Sequence, residues 1–405
     1  MDFHVPYRRG AKYFETAERG YLMKFVMTGG GTGGHLYPAI AIAEQIKKLK
    51  PDSEIIFLGS KDSIEAEVVP KNGYEFHAVP SRWFYRGNGL FSDMREFVKA
   101  CSFTIAGIFK SIKLIRKFKP DAVIGTGGFV SVPVIIAGKI CGANCYIHEQ
   151  NAYPGIGNRF TSKYCKKVFL GFEGAEKVFK QKIKTSYTGN PVRAEFTNLD
   201  RTESRKKLGI ADDDFVVFSF GGSLGSNEIN GVAEAYARRI KKGDKRTLIF
   251  GTGTRFFDDT KDRLSKATGE EGELIGEAGT SFIDGQIRLF PYIDGMADAI
   301  SASDLVICRA GALSLAEITA CGRASIIIPY PWAADNHQYY NAKVVADCGG
   351  GLLFEQADVD VEKLSDLIEE LSKDKDRISK MEAASKKLGQ MRASEKIVDE
   401  IMEKN

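Results

Sequence analysis

Short apolar runs alternate with segments of helical period along nearly the whole chain, the sequence pattern of helices packed on a parallel sheet. In the first half the runs predict strands at Lys24–Thr28, Glu54–Leu58, Glu75–Val79, Ala122–Ile124, Asn144–Ile147 and Lys167–Gly171. In the second half they predict strands at Phe215–Phe220, Thr247–Phe250, Ile287–Phe290, Leu305–Cys308, Ser325–Ile328 and Gly351–Phe354. No short repeat is visible, but both halves open alike, with a strand, a glycine-rich turn and a helix. The periodicity lapses across Gly189–Arg205, and from Val359 onward the chain is charged and helical. The expected organisation is a first α/β domain over 23–190, a linker at 191–201, a second α/β domain over 202–380 and closing helices at 381–405. Residues 1–22 are mixed and charged without an apolar core; they are expected to lie outside the fold, as an over-long start before Met23 and not a signal peptide. The fold class is therefore α/β, with two Rossmann-like doubly wound parallel-sheet domains facing a central cleft. Ligand is expected there, at the carboxyl ends of the strands.

Composition narrows the partners. Of 405 residues, 43% are hydrophobic and 27% charged, the balance of a globular enzyme. A net charge of +4 is too mild for a dedicated nucleic-acid binder. Seven cysteines form no CxxC pair and read as buried reduced thiols, with no metal site among them. The longest uncharged stretch, Ala122 to Gly138, is broken by four glycines and Pro133. It falls short of the roughly 20 apolar residues of a membrane-spanning helix.

Three glycine-rich turns follow predicted strands: GGGTGGH at 29–35, GTGGF at 125–129 and GGSLGS at 221–226. Glycine lets the backbone approach a ligand closely, and a following helix start offers free N–H groups to anionic oxygens. One such turn is weak evidence, whereas three point to a phosphate-handling cleft. No GxxxxGK[ST] occurs, which sets aside P-loop ATP hydrolysis, and no acidic residue follows the first turn at dinucleotide-binding spacing, which demotes a dehydrogenase. Of five histidines, His35 ends the first turn, His148 opens HEQN (148–151) directly after a strand, and His337 sits in DNHQ (335–338) at a helix start. His35 is the candidate general base and Glu149 its alternative. Glu149 and Asn151 could face ligand, and His337 is either a ligand contact or a cap. In CRAGALSLAE (308–317) small residues would let a diphosphate or ribose lie on a helix end, with Glu317 accepting from ribose hydroxyls. Asp212–Asp214 and Asp258–Asp259 read as solvated surface, not metal ligands.

Between Ser81 and Pro120 there are nine Lys or Arg and two acidic residues, interleaved with Trp83, Phe84, Tyr85, Leu90, Phe91, Phe97, Phe103 and Phe109. Cys101, Ile105, Ile108, Ile112 and Ile115 recur at helical spacing and are expected to face the core. A basic surface with exposed aromatics suits anionic membrane lipids, and a solvated basic face with buried aromatics fits the pattern equally.

GGGTGGH, GTGGFVS (125–131), HEQN, GNPVR (189–193), GGSLG, CRAGALSLAE and DNHQYYNA (335–342) occur in an order that resembles the MurG family of bacterial N-acetylglucosaminyltransferases, in glycosyltransferase family 28. The resemblance runs from Met23 to about the end of the chain. It implies a GT-B enzyme that needs no cofactor and no metal. It implies inverting transfer of N-acetylglucosamine from its UDP donor to the C4 hydroxyl of undecaprenyl-diphospho-muramoyl-pentapeptide, at the cytoplasmic face of the membrane. Carried onto matching positions, it implies donor contacts at Thr32, Gly33, Gly34, Asn151, Arg193, Ser223, Ile293, Ala312, Leu313, Ser314, Leu315, Ala316, Glu317 and Gln338. Ile293 would meet the uracil, and the similar Phe282-Ile-Asp-Gly would be a decoy. The rivals are a synthase glycosylating diacylglycerol, a UDP-sugar 2-epimerase and a binding module without turnover.

Overall fold

The computed structural model describes residues 22–82, 90–197 and 199–403. Residues 1–21, on which the expected N-terminal extension falls, and the aromatic loop 83–89 lie outside the described residues. The first sheet holds β1 (Lys24–Thr28), β2 (Glu54–Gly59), β3 (Glu75–Ala78), β4 (Ala122–Gly125), β5 (Asn144–Glu149), β6 (Lys167–Leu170) and β7 (Thr185–Tyr187). Its helices are α1 (Gly33–Leu49), α2 (Glu65–Lys71), α3 (Leu90–Phe118), α4 (Ser131–Ile140) and α5 (Ile156–Thr161). After α6 (Arg201–Leu208) the second sheet is built from β8 (Phe215–Phe220), β9 (Arg246–Gly251), β10 (Glu273–Ile275), β11 (Gly279–Phe282) and β12 (Ile287–Phe290). β13 (Leu305–Cys308), β14 (Ala324–Ile327) and β15 (Gly351–Leu353) complete it. Interleaved helices are α7 (Asn227–Ala237), α8 (Phe257–Thr268), α9 (Met296–Ala302), α10 (Ala312–Ala320) and α11 (His337–Asp347). The chain closes with α12 (Val361–Lys373), α13 (Lys375–Leu388) and α14 (Ala393–Met402).

Every strand expected from the apolar runs is present. The first sheet is wholly parallel in the order β3-β2-β1-β4-β5-β6-β7. The second runs β10-β11-β12-β9-β8-β13-β14-β15, antiparallel only at the β10-β11-β12 edge. Its edge hairpin turns at Ile283 and Asp284, both at positive φ, so the Phe282-Ile-Asp-Gly segment sits at the amino edge of the sheet. Strands buried on both faces need apolar residues at consecutive positions. In β1, Phe25 and Met27 enter one core and Val26 the other; in β8, Val217 faces one core and Val216, Phe218 and Phe220 face the other.

Three features depart from the sequence expectation. The helix α14 leaves the second domain and packs Ile397, Val398 and Ile401 into the first domain's core beside Phe25, Ile42 and Phe57. Its Glu400 pairs with Lys167 and accepts from Ser186 Oγ, so the chain crosses between domains twice. In α3 the expected core stripe holds only toward its carboxyl end: Ile115 is buried and Ile112 packs on the core, whereas Cys101 and Ile105 are exposed and Gly107 and Ser111 are buried instead. The cause is close helix packing, since Gly107 lies directly against Pro80 and Pro133 of the neighbouring segments. Cys348 is also exposed, contrary to a wholly buried thiol set.

Candidate active site

Each sheet reverses its strand order once, between β1 and β4 in the first domain and between β8 and β13 in the second. A crevice forms at such a switch point because the flanking helices leave to opposite faces. The first and second glycine turns flank the first crevice, and the third turn and the start of α10 flank the second. The sequence order thus delivers all three glycine turns to the two positions where doubly wound sheets bind ligands.

In the first crevice the two turns interlock. Gly128 has φ +78, and a Cβ there would strike the Gly30 carbonyl. Thr32 caps α1 in an extended conformation, leaving the first N–H groups of Gly33 and Gly34 without intrahelical partners. Beneath the turn lies Glu65, a buried carboxylate that no sequence pattern singled out. It accepts from Gly31 N at 3.1 Å and from Ser60 N at 2.9 Å. His35 Nδ1 lies 3.2 Å from the Thr126 carbonyl and 3.0 Å from Gln150 Oε1. Both partners are acceptors, so Nδ1 carries the proton and Nε2 keeps a free lone pair. Glu149, in contrast, is spent on structure. Its oxygens accept from Asn151 N, Asn151 Nδ2, Gly155 N and Asn158 Nδ2, at 2.8–3.2 Å. Those bonds hold the HEQN turn closed at the carboxyl end of β5 and favour His35 over Glu149 as a base.

The second crevice is lined by the third turn, the start of α10 and the loop before α11. Ser223 is exposed on the turn; a Cβ at Gly253 (φ +83) would strike Gly225, and one at Gly225 would strike the Thr252 carbonyl. Ala312, Leu313, Ser314, Leu315, Ala316 and Glu317 form the first turns of α10. Leu315 turns its side chain into the core and can meet a ligand only through its backbone. Glu317 is 6% exposed and accepts at Oε1 from Arg193 Nε, 2.9 Å away. Burial pushes the Glu317 carboxyl up and Arg193 opposes it. Burial works against the Arg193 charge, but Glu317 and Glu195 hold its pKa above the ordinary value. Ile293 follows β12 at the carboxyl edge, over the end of β9, at the opposite end of the strand from the Ile283 hairpin. Gln338 Oε1 accepts from Ala310 N (3.2 Å) and Tyr330 N (2.9 Å), tying two crevice loops together. His337 Nδ1 is 2.7 Å from the Ala334 carbonyl, a local tie in its own turn.

The two crevices face each other across a polar latch that sequence reasoning missed. Asn341 of α11 is fully buried; its Oδ1 accepts from Ala152 N at 2.8 Å. Its Nδ2 donates to Asn151 Oδ1 at 3.0 Å and to the Ala310 carbonyl at 3.2 Å. Arg159 pairs with Asp335 at 2.9 Å, and Tyr153 stacks on Tyr340 with centroids 5.2 Å apart. Asn341 lies in DNHQYYNA, but only the folded chain brings it to Asn151. Among the described residues no cluster of three or more histidine, cysteine, aspartate or glutamate side chains is placed to hold a metal ion.

His148 makes the site sensitive to acid. It is fully buried, and burial pushes its imidazole down to about 4 against the pull of the Gly189 carbonyl. Below the ordinary histidine range the unfolded chain takes up a proton that the folded chain refuses. The stability is therefore complete above about pH 6.5 and falls as pH drops, by about 3 kcal/mol near pH 4. Urea unfolding of the first domain should show this loss, and His148→Gln should flatten it. An equal acid loss in that variant would assign the sensitivity elsewhere.

Comparison with known proteins matches this geometry to a family. Residues 25–170 match the glycosyltransferase family 28 N-terminal domain, and residues 216–398 match the glycosyltransferase family 28 C-terminal domain. A Clostridioides difficile (strain 630) protein is 40% identical over 94% of this chain and 89% of its own length. It is named UDP-N-acetylglucosamine--N-acetylmuramyl-(pentapeptide) pyrophosphoryl-undecaprenol N-acetylglucosamine transferase. A protein of the same name from Desulforudis audaxviator (strain MP104C) is 38% identical over 94% of this chain and 98% of its own length. Among solved structures, Acinetobacter baumannii MurG aligns with a TM-score of 0.72 at 27% identity, covering 94% of this chain and 99% of that one. Since the two family domains fall on the two sheets that carry the glycine turns, the chain belongs to glycosyltransferase family 28.

Proposed function

We propose that this chain transfers N-acetylglucosamine from UDP-N-acetylglucosamine to the C4 hydroxyl of undecaprenyl-diphospho-N-acetylmuramoyl-pentapeptide, with inversion. The observation that carries the reading is the cleft itself. It holds a histidine with one free ring nitrogen in one switch-point crevice and a half-exposed Arg193 paired with the buried Glu317 in the other. In this reading His35 Nε2 takes the acceptor proton as the C4 oxygen attacks the anomeric carbon from the face opposite UDP. Free N–H groups at the starts of α1 and α10, with Arg193, stabilise charge growing on the leaving diphosphate, which is commonly the largest single catalytic effect. Glu317 holds the ribose, Ile293 the uracil, and Ser223 and Gln338 orient the phosphates and sugar. Thr32, Gly33, Gly34 and Asn151 line the facing wall.

The direct test is UDP release from UDP-N-acetylglucosamine with and without a short-chain analogue of the lipid-linked muramoyl pentapeptide. Release that depends on the analogue, with a new disaccharide by mass spectrometry, is the expected result. Glycosylation of diacylglycerol with the analogue ignored would overturn the acceptor.

The acceptor is a membrane lipid, yet no described helix is long and apolar enough to cross a membrane. Contact from the cytoplasmic face fits α3, where no residue between 94 and 106 is buried. Met94, Val98, Phe103, Ile105 and Phe109 are exposed there, Phe109 by 69%, among Arg95, Lys110, Lys113, Arg116 and Lys117. Apolar side chains entering the interface beside lysines and arginines on anionic headgroups would hold the enzyme peripherally. Replacing both Val98 and Phe109 by Asp should lower partitioning onto phosphatidylglycerol vesicles about ten-fold or more. Turnover of a water-soluble acceptor should be retained. Unchanged sedimentation with vesicles would move the membrane contact off α3.

A further inference from the structure

We propose that Gln150 is the positioning residue of His35: its side-chain amide fixes which ring nitrogen is free to receive the acceptor proton. The proposal rests on the reading of His35 as the base.

Three histidine and amide assignments, each fixed by a separate backbone carbonyl, agree. His35 Nδ1 meets the Thr126 carbonyl, an acceptor only, so Nδ1 is the protonated nitrogen. Gln150 Nε2 lies 3.2 Å from the His148 carbonyl, which requires the NH2 end of the amide there and leaves Oε1 toward His35. His148 Nε2 lies 3.0 Å from the Gly189 carbonyl, so Nε2 is the protonated nitrogen of that ring. Its Nδ1 is then an acceptor, and it receives the second Gln150 Nε2 hydrogen at 3.0 Å. Burial keeps His148 neutral near pH 7, as this pattern needs. The bonds therefore run in one sense, from His35 Nδ1–H to Gln150 Oε1, from Gln150 Nε2–H to His148 Nδ1, and from His148 Nε2–H to Gly189. Asn190 Nδ2 donates to the Gln150 main-chain carbonyl at 3.0 Å, so the glutamine is held at both ends by the segment where the chain leaves the first domain.

Gln150 is 1% exposed, and its amide cannot turn over without setting two oxygens together at His148. A histidine's free nitrogen is set by the bond its other nitrogen makes, and here that bond keeps Nε2 open. The titratable groups on the elements around His35 are Tyr37 on its own helix, His148 and Glu149 at the end of β5, Glu65 at the start of α2, and Arg159 on α5, which is paired with Asp335. The second glycine turn and the start of α4 contribute none. Glu149 is taken up by N–H donors of Asn151, Gly155 and Asn158 and Glu65 by those of Gly31 and Ser60, so Gln150 is the side chain through which the pH response of His35 can be altered.

Two substitutions move that response in opposite directions. In Gln150→Glu a carboxylate beside Nδ1–H stabilises the imidazolium, so the acid limb of the kcat profile moves up by about one pH unit. In Gln150→Met the acceptor is lost, the imidazolium is disfavoured and the limb moves down, with kcat lower on the order of ten-fold and KM for both substrates nearly unchanged. A residue that only fills space would lower kcat without moving the limb in opposed directions. Ring 15N–1H spectra of His35, assigned by their loss in His35→Asn, give a second readout independent of turnover. Nδ1–H is expected in the parent protein, with the ring titration displaced up by Glu and down by Met. A titration displaced in neither variant overturns the proposal. A titration displaced as described, with a kcat profile that does not follow, supports the Gln150 proposal and overturns His35 as the base.

Discussion

His35→Ala is expected to lower kcat by roughly 10²–10³-fold while leaving the affinity for UDP-N-acetylglucosamine nearly unchanged, because a general base acts on the acceptor proton and not on the donor. The acid limb of the kcat profile should vanish with the imidazole. Alanine also removes the Nδ1–H bonds to Thr126 and Gln150, so a loss of order in the turn could imitate a catalytic defect. His35→Asn separates the two causes. Its Nδ2 can donate to the same carbonyl and amide oxygens, yet it offers no base at the Nε2 position. If the base is what matters, the asparagine variant is as slow as the alanine variant and has the parent's stability. If asparagine restores turnover, His35 is a positioning residue. Donor affinity that falls as far as kcat in both variants would make it a binding residue.

The parts of this molecule that the sequence makes legible are those fixed by local pattern. Strands such as β1 and β8 carry apolar residues at consecutive positions because both faces are covered, so they stand out from their amphipathic neighbours. The glycine turns are legible for the same reason, since a close approach such as Gly128 on Gly30 tolerates nothing else. β7, β10 and β11 were not expected: each has three or four residues, and β7 and β10 are partly exposed edge strands without an apolar run. The stripe on α3 is legible only at Ile112 and Ile115, because the rest of its buried row is made of small residues, Gly107 and Ser111, which no hydrophobic period marks. The same limit applies to the site. His35, Glu317 and Ile293 sit in turns that announce themselves. Glu65 lies in the charged segment KDSIEAE and looks solvated until the fold sets it under Gly31. Asn341 meets Asn151 across 190 positions of chain. Glu149 had the chemistry of a base, and only its four N–H donors reveal that both oxygens are occupied.

Glu317→Ala is expected to act on the donor and not on the chemistry. The carboxylate is buried, and Arg193 Nε takes Oε1, so Oε2 is the acceptor left for the ribose hydroxyls in the proposed donor complex. Hydrogen bonds to a charged group contribute about 1.5–3 kcal/mol, which converts to a donor KM raised roughly 10- to 100-fold. The change in kcat should be much smaller. Arg193 would remain charged through Glu195 and stay available to the diphosphate, which keeps the leaving group supported. Glu317→Gln retains an acceptor oxygen without the charge and should fall between the two. The ribose contact itself is isolated by 2′-deoxy-UDP as an inhibitor. The parent enzyme should bind it more weakly than UDP, and Glu317→Ala should bind the two alike, since the partner of the missing hydroxyl is gone. If the variant still distinguishes them as the parent does, the ribose lies elsewhere and Glu317 serves only to hold Arg193. In that case Arg193→Ala and Glu317→Ala should have the same phenotype, a kcat defect with donor KM little changed.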